Sequence, residues 1–111
     1  MSNSPHAPID YILKHSADFA LAKSQRVYLE EFRKTKKALL MKDALARGIE
    51  AANAQEREAY AHPEYQELLK GLAEAIAIEE TLKWNLEAAR MRTDIWRTEQ
   101  ANNRYTDKAA Q

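Results

Sequence analysis

Apolar residues recur along this chain at helical intervals, and nowhere do they alternate with a period of two, so no strand is predicted. In the first half, Tyr28, Phe32, Leu39 and Ala46 share one stripe, with Leu21 a heptad before Tyr28. Ala38, Met41, Leu45 and Ala52 form a second stripe of smaller residues. In the second half, Tyr65, Leu68, Leu69, Leu72, Ala75 and Ile76 fall together, and Leu82, Leu86, Ala89 and Trp96 continue close to them. A further set, Trp84, Ala88, Met91 and Ile95, points in nearly the opposite direction at 100° per residue. One helix of a lone hairpin needs a single apolar face, and this helix carries two.

Proline and glycine set the boundaries. Between Pro8 and Pro63 there is no proline and one glycine, Gly48; after Pro63 there is only Gly71. Both stretches are rich in Ala, Leu, Glu, Lys, Arg and Gln, the strongest helix formers. The pattern predicts a single all-α domain, a long antiparallel two-helix hairpin of coiled-coil type. Its first helix spans residues 8–60 and its second 63–104, with a disordered tail at 1–7 and a frayed one at 105–111. Pro8 and Pro63 suit first helical positions, where the missing N–H is not needed. Gly48 can be read as a helix end with Ile49 closing the motif. The helix formers from Ile49 to Ala59 argue instead for continuity, and continuity is the expectation. There is no internal repeat or low-complexity tract.

Composition makes a partner necessary. Hydrophobic residues reach 45%, but much of that is alanine, and there are two Phe and two Trp. A two-helix hairpin encloses little, and small scaffolds of this kind need a staple, a metal or another chain. With no cysteine, disulfides and thiolate metal sites are excluded. Completion into a bundle by self-association is therefore expected, most simply as a dimer through Trp84, Ala88, Met91 and Ile95, while Leu82, Leu86, Ala89 and Trp96 meet the first helix. Met1 to Pro5 lacks the charged start and apolar run of a signal peptide, and no apolar run reaches membrane-spanning length. The expected setting is the cytoplasm, away from membranes.

The candidate chemistry is sparse. His6, His15 and His62 do not stand at ligand spacing on a helix. Glu79 and Glu80 are adjacent and diverge by 100°, so the simpler reading pairs Glu79 with Lys83 and turns Glu80 to solvent or a partner helix. No glycine-rich loop or placed nucleophile is present, and the chain reads as a non-enzyme without cofactor or metal. Lys23, Arg26, Arg33, Lys34, Lys36, Lys37, Lys42 and Arg47 meet only Glu30, Glu31 and Asp43 among them. Arg26, Arg33 and Lys37 lie near one stripe that could follow a phosphate backbone, with Lys34 and Lys36 beside it. The plain alternative is a solvated face on a chain whose 17 basic and 17 acidic residues balance.

His62-Pro63-Glu64-Tyr65, Leu82-Lys83-Trp84-Asn85-Leu86 and the run from Ile95 through Trp96-Arg97 to Asn102 resemble small helical proteins encoded by tailed phages and prophages. In those the helix similarly ends in Trp-Arg, then polar residues and another Arg. The resemblance covers residues 62–104. It implies genes set among replication and recombination genes, a bacterial host cytoplasm and no catalytic residues. The expected function is a non-enzymatic interaction or scaffold protein, an accessory factor of phage DNA recombination or replication with a protein partner in DNA metabolism. The alternatives are a nucleic-acid-binding module using the basic face of the first helix, and an inhibitor of a host protein.

Overall fold

The computed structural model describes residues 6–110, and it is all-α. Helix α1 spans His6–Ala46, α2 Ala52–Ala61 and α3 Pro63–Ala110. No helix among the described residues is long and apolar enough to cross a membrane. The expected tail at 1–7 falls on residues 1–5, outside the described residues, apart from His6 and Ala7, which already belong to α1. α3 continues to Ala110, beyond the expected end at 104.

The first helix does not run through Gly48; that expectation is corrected. Gly48 adopts φ 97°, the left-handed region that side chains with a Cβ avoid. Its N–H donates to the Leu45 carbonyl at 3.0 Å, and the Ile49 N–H donates to Ala44 at 3.0 Å. This pair of bonds is the Schellman C-cap, which satisfies carbonyls the helix end would otherwise leave open. Gln55 then fixes the link to α2, its side-chain amide donating to the carbonyls of Ile49 and Glu50.

A single residue separates α2 from α3. His62 has φ −67° and ψ 135°, the extended conformation a following proline imposes. Its ring Nδ1 accepts the Glu64 N–H at 3.0 Å, so the side chain caps α3 while Pro63 occupies the first helical position. The Gln66 amide reaches back to the Tyr60 carbonyl at 2.7 Å and tightens the corner.

Two compact units result, residues 21–79 and residues 6–20 with 80–110. In the unit 21–79, α1 and α3 run antiparallel, since Arg26 meets Glu79 and Lys36 meets Glu64. Buried or half-buried positions on α1 include Ala22, Arg26, Leu29, Arg33, Lys36 and Leu40, spaced alternately four and three, with Glu30, Phe32, Lys37, Met41 and Ala44 also covered beside them. On α3 they include Tyr65, Leu68, Leu72, Ala75 and Glu79, spaced three and four, with Leu69 and Gly71 half-buried beside them. That is the seven-residue period of a coiled-coil seam. α2 closes one end, where Leu40, Ala59 and Tyr65 form the core with Met41 and Leu69 against them. Of the expected apolar stripe of the first helix, Leu21, Tyr28 and Leu39 are more than half exposed and Ala46 is exposed, while Phe32 is half-buried. Of the second expected stripe, Met41 packs on the core while Leu45 is open to solvent.

In the other unit, Pro8, Ile12, His15 and Phe19 of α1 are half-buried at intervals of four, three and four. From α3, Leu82, Leu86, Ala89, Thr93 and Trp96 are buried or half-buried. These include all four residues expected on the inward face. The Thr93 hydroxyl donates to the Ala89 carbonyl at 3.1 Å, which satisfies a buried polar group within the helix.

Candidate interaction surface

The second apolar stripe of α3 lies where its spacing places it, away from the inward face. Trp84 is 62%, Met91 56% and Ile95 57% exposed, and Ala88 is exposed between them. Side chains of this size stay solvated here because Leu82, Leu86, Ala89 and Trp96 already supply the inward face. One flank of the stripe is acidic: Glu80, Glu87 and Asp94. The Glu80 carboxylate accepts the Trp84 indole N–H at 3.1 Å, and Lys83 lies 5.5 Å from the indole centroid. Arg90 pairs with Glu87 at 2.9 Å and Arg97 with Asp94 at 3.8 Å, both on exposed helix surface. Exposed pairs of that kind contribute little to folding. The indole N–H is thus satisfied on the helix surface by Glu80, and Lys83 lies over the ring.

The basic residues of α1 stand differently. Arg26 donates through Nε and Nη2 to both oxygens of Glu79, at 2.6 and 2.9 Å, and through Nη1 to Glu30 at 3.0 Å. Glu79 is only 8% exposed, so this two-pronged pair sits inside the seam. The Glu79 hydrogen bonds, with Glu30 adding to them, raise the guanidinium pKa further above its ordinary value. The expected Glu79–Lys83 pair gives way to this one, since Glu79 points inward and Lys83 lies outward over Trp84. Lys37 meets Glu56 of α2 at 2.8 Å and lies 4.7 Å from the Tyr60 ring centroid. Their hydrogen bond raises the Lys37 pKa and lowers that of the Glu56 carboxyl. Lys36 pairs with Glu64 at 3.2 Å, and Lys34 with Glu31 at 3.4 Å on open surface. Arg33 is half-buried on the seam. Arg26 and Arg33 are thus half-buried because they stand on the seam, and Lys37, beside it, because α2 covers it with Glu56 and Tyr60.

Sequence reasoning missed the Arg26–Glu79–Glu30 cluster. The signal for it was a seven-residue spacing from Ala22 through Leu29 to Lys36, and from Arg26 through Arg33 to Leu40, hidden because half the positions are charged. A shallow groove of about 480 Å³ also opens in the unit 21–79, bordered by Tyr28, Leu29, Gly71 and Ile78. A second, of about 460 Å³, lies in the other unit against Pro8, Tyr11, Asn85 and Arg92. Among the described residues no three His, Asp or Glu side chains converge as a metal site would require. No family model, curated protein or solved structure matches the chain.

Proposed function

We propose that the protein is a non-enzymatic helical interaction or scaffold protein that works by self-association through Trp84, Ala88, Met91 and Ile95. The observation behind this reading is that stripe, in which Trp84, Met91 and Ile95 are more than half exposed on a helix whose inward face is formed by other residues. Soluble chains seldom leave such a row uncovered unless something docks on it. A dimer is the simplest completion, because one two-fold axis covers the same stripe on both copies. The phage-protein resemblance of residues 62–104 extends the proposal to an accessory role in DNA recombination or replication.

Sedimentation equilibrium tests it. The wild type should be dimeric at concentrations on the order of tens of micromolar. Met91→Glu should be monomeric with unchanged helicity, because an unpaired carboxylate does not remain in a closed apolar seam. A monomeric wild type, or a variant of unchanged mass, refutes the reading.

A further inference from the structure

The last turns of α3 differ in chemistry from the rest of the molecule. From residue 97 to residue 110 there is no Leu, Ile, Val, Met or Phe, yet the helix continues. Two shallow clefts open there. One, of about 330 Å³, is lined by Trp96, Arg97, Gln100 and Arg104. The next, of about 490 Å³, lies against Ala101, Arg104, Tyr105, Asp107 and Lys108. Arg104 borders both, so its guanidinium stands between a tryptophan on one side and a tyrosine on the other. The two rings are about 13 Å apart along the axis and half a turn apart around it.

These guanidinia are lightly held. Lys83, Arg90, Arg97 and Arg104 recur every seven residues, and Glu80, Glu87 and Asp94 stand three residues before the first three. Glu87 pairs with Arg90 at 2.9 Å and Asp94 meets Arg97 at 3.8 Å, but position 101, where the next acid would fall, is alanine. Among the described residues Arg104 therefore has no carboxylate partner, and that of Arg97 is distant. On α1 the reverse holds, since Arg26, Lys36 and Lys37 are answered by Glu79, Glu64 and Glu56. Lys108 stands in the last turn, where its charge offsets the open carbonyls of the helix end.

We infer that this end of α3 binds single-stranded nucleic acid, with Arg97 and Arg104 on phosphates, Trp96 and Tyr105 as stacking surfaces, and the Gln100 amide between them meeting a base edge. A strand so held crosses the helix obliquely from one cleft to the other. A base offers its face only when unpaired, so aromatic rings beside guanidinia favour a single strand over a duplex. An anionic bilayer would need an apolar face to insert, and residues 97–110 carry nothing larger than alanine for that purpose except Tyr105. Tyr105 is 77% exposed, so its ring is not used in packing, while Trp96 and Gln100 are half-buried beside the arginines. The site is separate from the stripe of Trp84, Ala88, Met91 and Ile95 and does not depend on self-association.

Fluorescence anisotropy with a labelled oligodeoxythymidylate of roughly 16 nucleotides tests the site. The full chain should bind it at low salt, and log affinity should fall against log salt with a slope of about −1.4 for each chain, the value for two phosphates on a single strand. Arg104→Gln should halve that slope. Tyr105→Ala should bind roughly tenfold more weakly, with helicity unchanged by circular dichroism. Lys34→Gln/Lys42→Gln, on exposed surface of α1, should bind as the wild type does.

Four results overturn the inference: no binding of the oligonucleotide at low salt, a duplex of the same length bound as tightly, full affinity in Tyr105→Ala, or loss of binding in the α1 variant alone. Binding to phosphatidylserine vesicles in place of the oligonucleotide also overturns it, and assigns this end of α3 to a membrane surface instead.

Discussion

The two units of this protein use the same seven-residue seam and fill it with different chemistry. In residues 21–79, α1 brings Arg26, Arg33 and Lys36 to inward positions, and acids on α2 and α3 answer Arg26, Lys36 and Lys37. In the other unit the inward positions are mostly apolar, Pro8, Ile12, Phe19, Leu82, Leu86, Ala89 and Trp96, with His15 paired to Asp18 and Thr93 satisfied inside its own helix. An apolar seam tolerates sliding by a heptad, because one leucine layer resembles the next. The charged seam is more selective, since a slide of one heptad that offers Arg33 to Glu79 also breaks the Lys36–Glu64 pair and carries Glu64 toward Asp43. Fixing register is the role we propose for the charged unit, and offering apolar surface to a second chain is the role proposed for the other.

The largest expected effect breaks that contrast directly. Arg26→Glu would set three carboxylates together at positions 26, 30 and 79, and unit 21–79 should lose its cooperative melting transition. Combining it with Glu79→Arg restores one attraction and should recover most of the transition. If the double variant melts no higher than the single one, the pair does not set register and the comparison fails.

Truncations sharpen the same contrast. Leu72 is buried in the charged unit, so Leu72→Ala should cost ~2–5 kcal/mol in chemical denaturation. Leu86 faces inward in the other unit but is only half-buried, so Leu86→Ala should cost about 1–2 kcal/mol, in proportion to the smaller area removed from water. Equal losses would mean that both units are packed alike.

Much of α3 was legible in the sequence because its apolar residues occupy its apolar positions. Leu82, Leu86, Ala89 and Trp96 do face inward, and Trp84, Ala88, Met91 and Ile95 do not. α1 misled for the opposite reason. Its inward row includes Arg26, Arg33 and Lys36, while Leu21, Tyr28 and Leu39 stand outward, so ranking faces by hydrophobicity selects the wrong one. Glu79, Glu56 and Glu64, which the fold brings opposite Arg26, Lys37 and Lys36, lie too far along the chain for local spacing to pair them. Gly48 allowed two readings because helix formers stand on both sides. What decides between them is the Schellman pair to Ala44 and Leu45, a backbone arrangement that propensity does not register.

The smallest effects come from the two glycines, and they should have opposite signs. At Gly48 the φ of 97° is open to glycine and unfavourable for any residue with a Cβ, although nothing stands within 4 Å of where that atom would lie. Gly48→Ala should therefore destabilise by about 1–2 kcal/mol, the strain of the left-handed conformation alone. Gly71 is different: it is helical, it borders the groove with Tyr28 and Ile78, and a Cβ there also meets nothing within 4 Å. Within one chain the missing Cβ serves no close approach, so Gly71→Ala should stabilise by roughly 0.5–1 kcal/mol through lower backbone entropy in the unfolded state. Chemical denaturation at a concentration where the chain is monomeric separates the two. If Gly71→Ala destabilises even there, the groove is narrower in solution than its lining indicates, and α1 and α3 approach each other more closely at Tyr28 than the seam of the unit 21–79 implies.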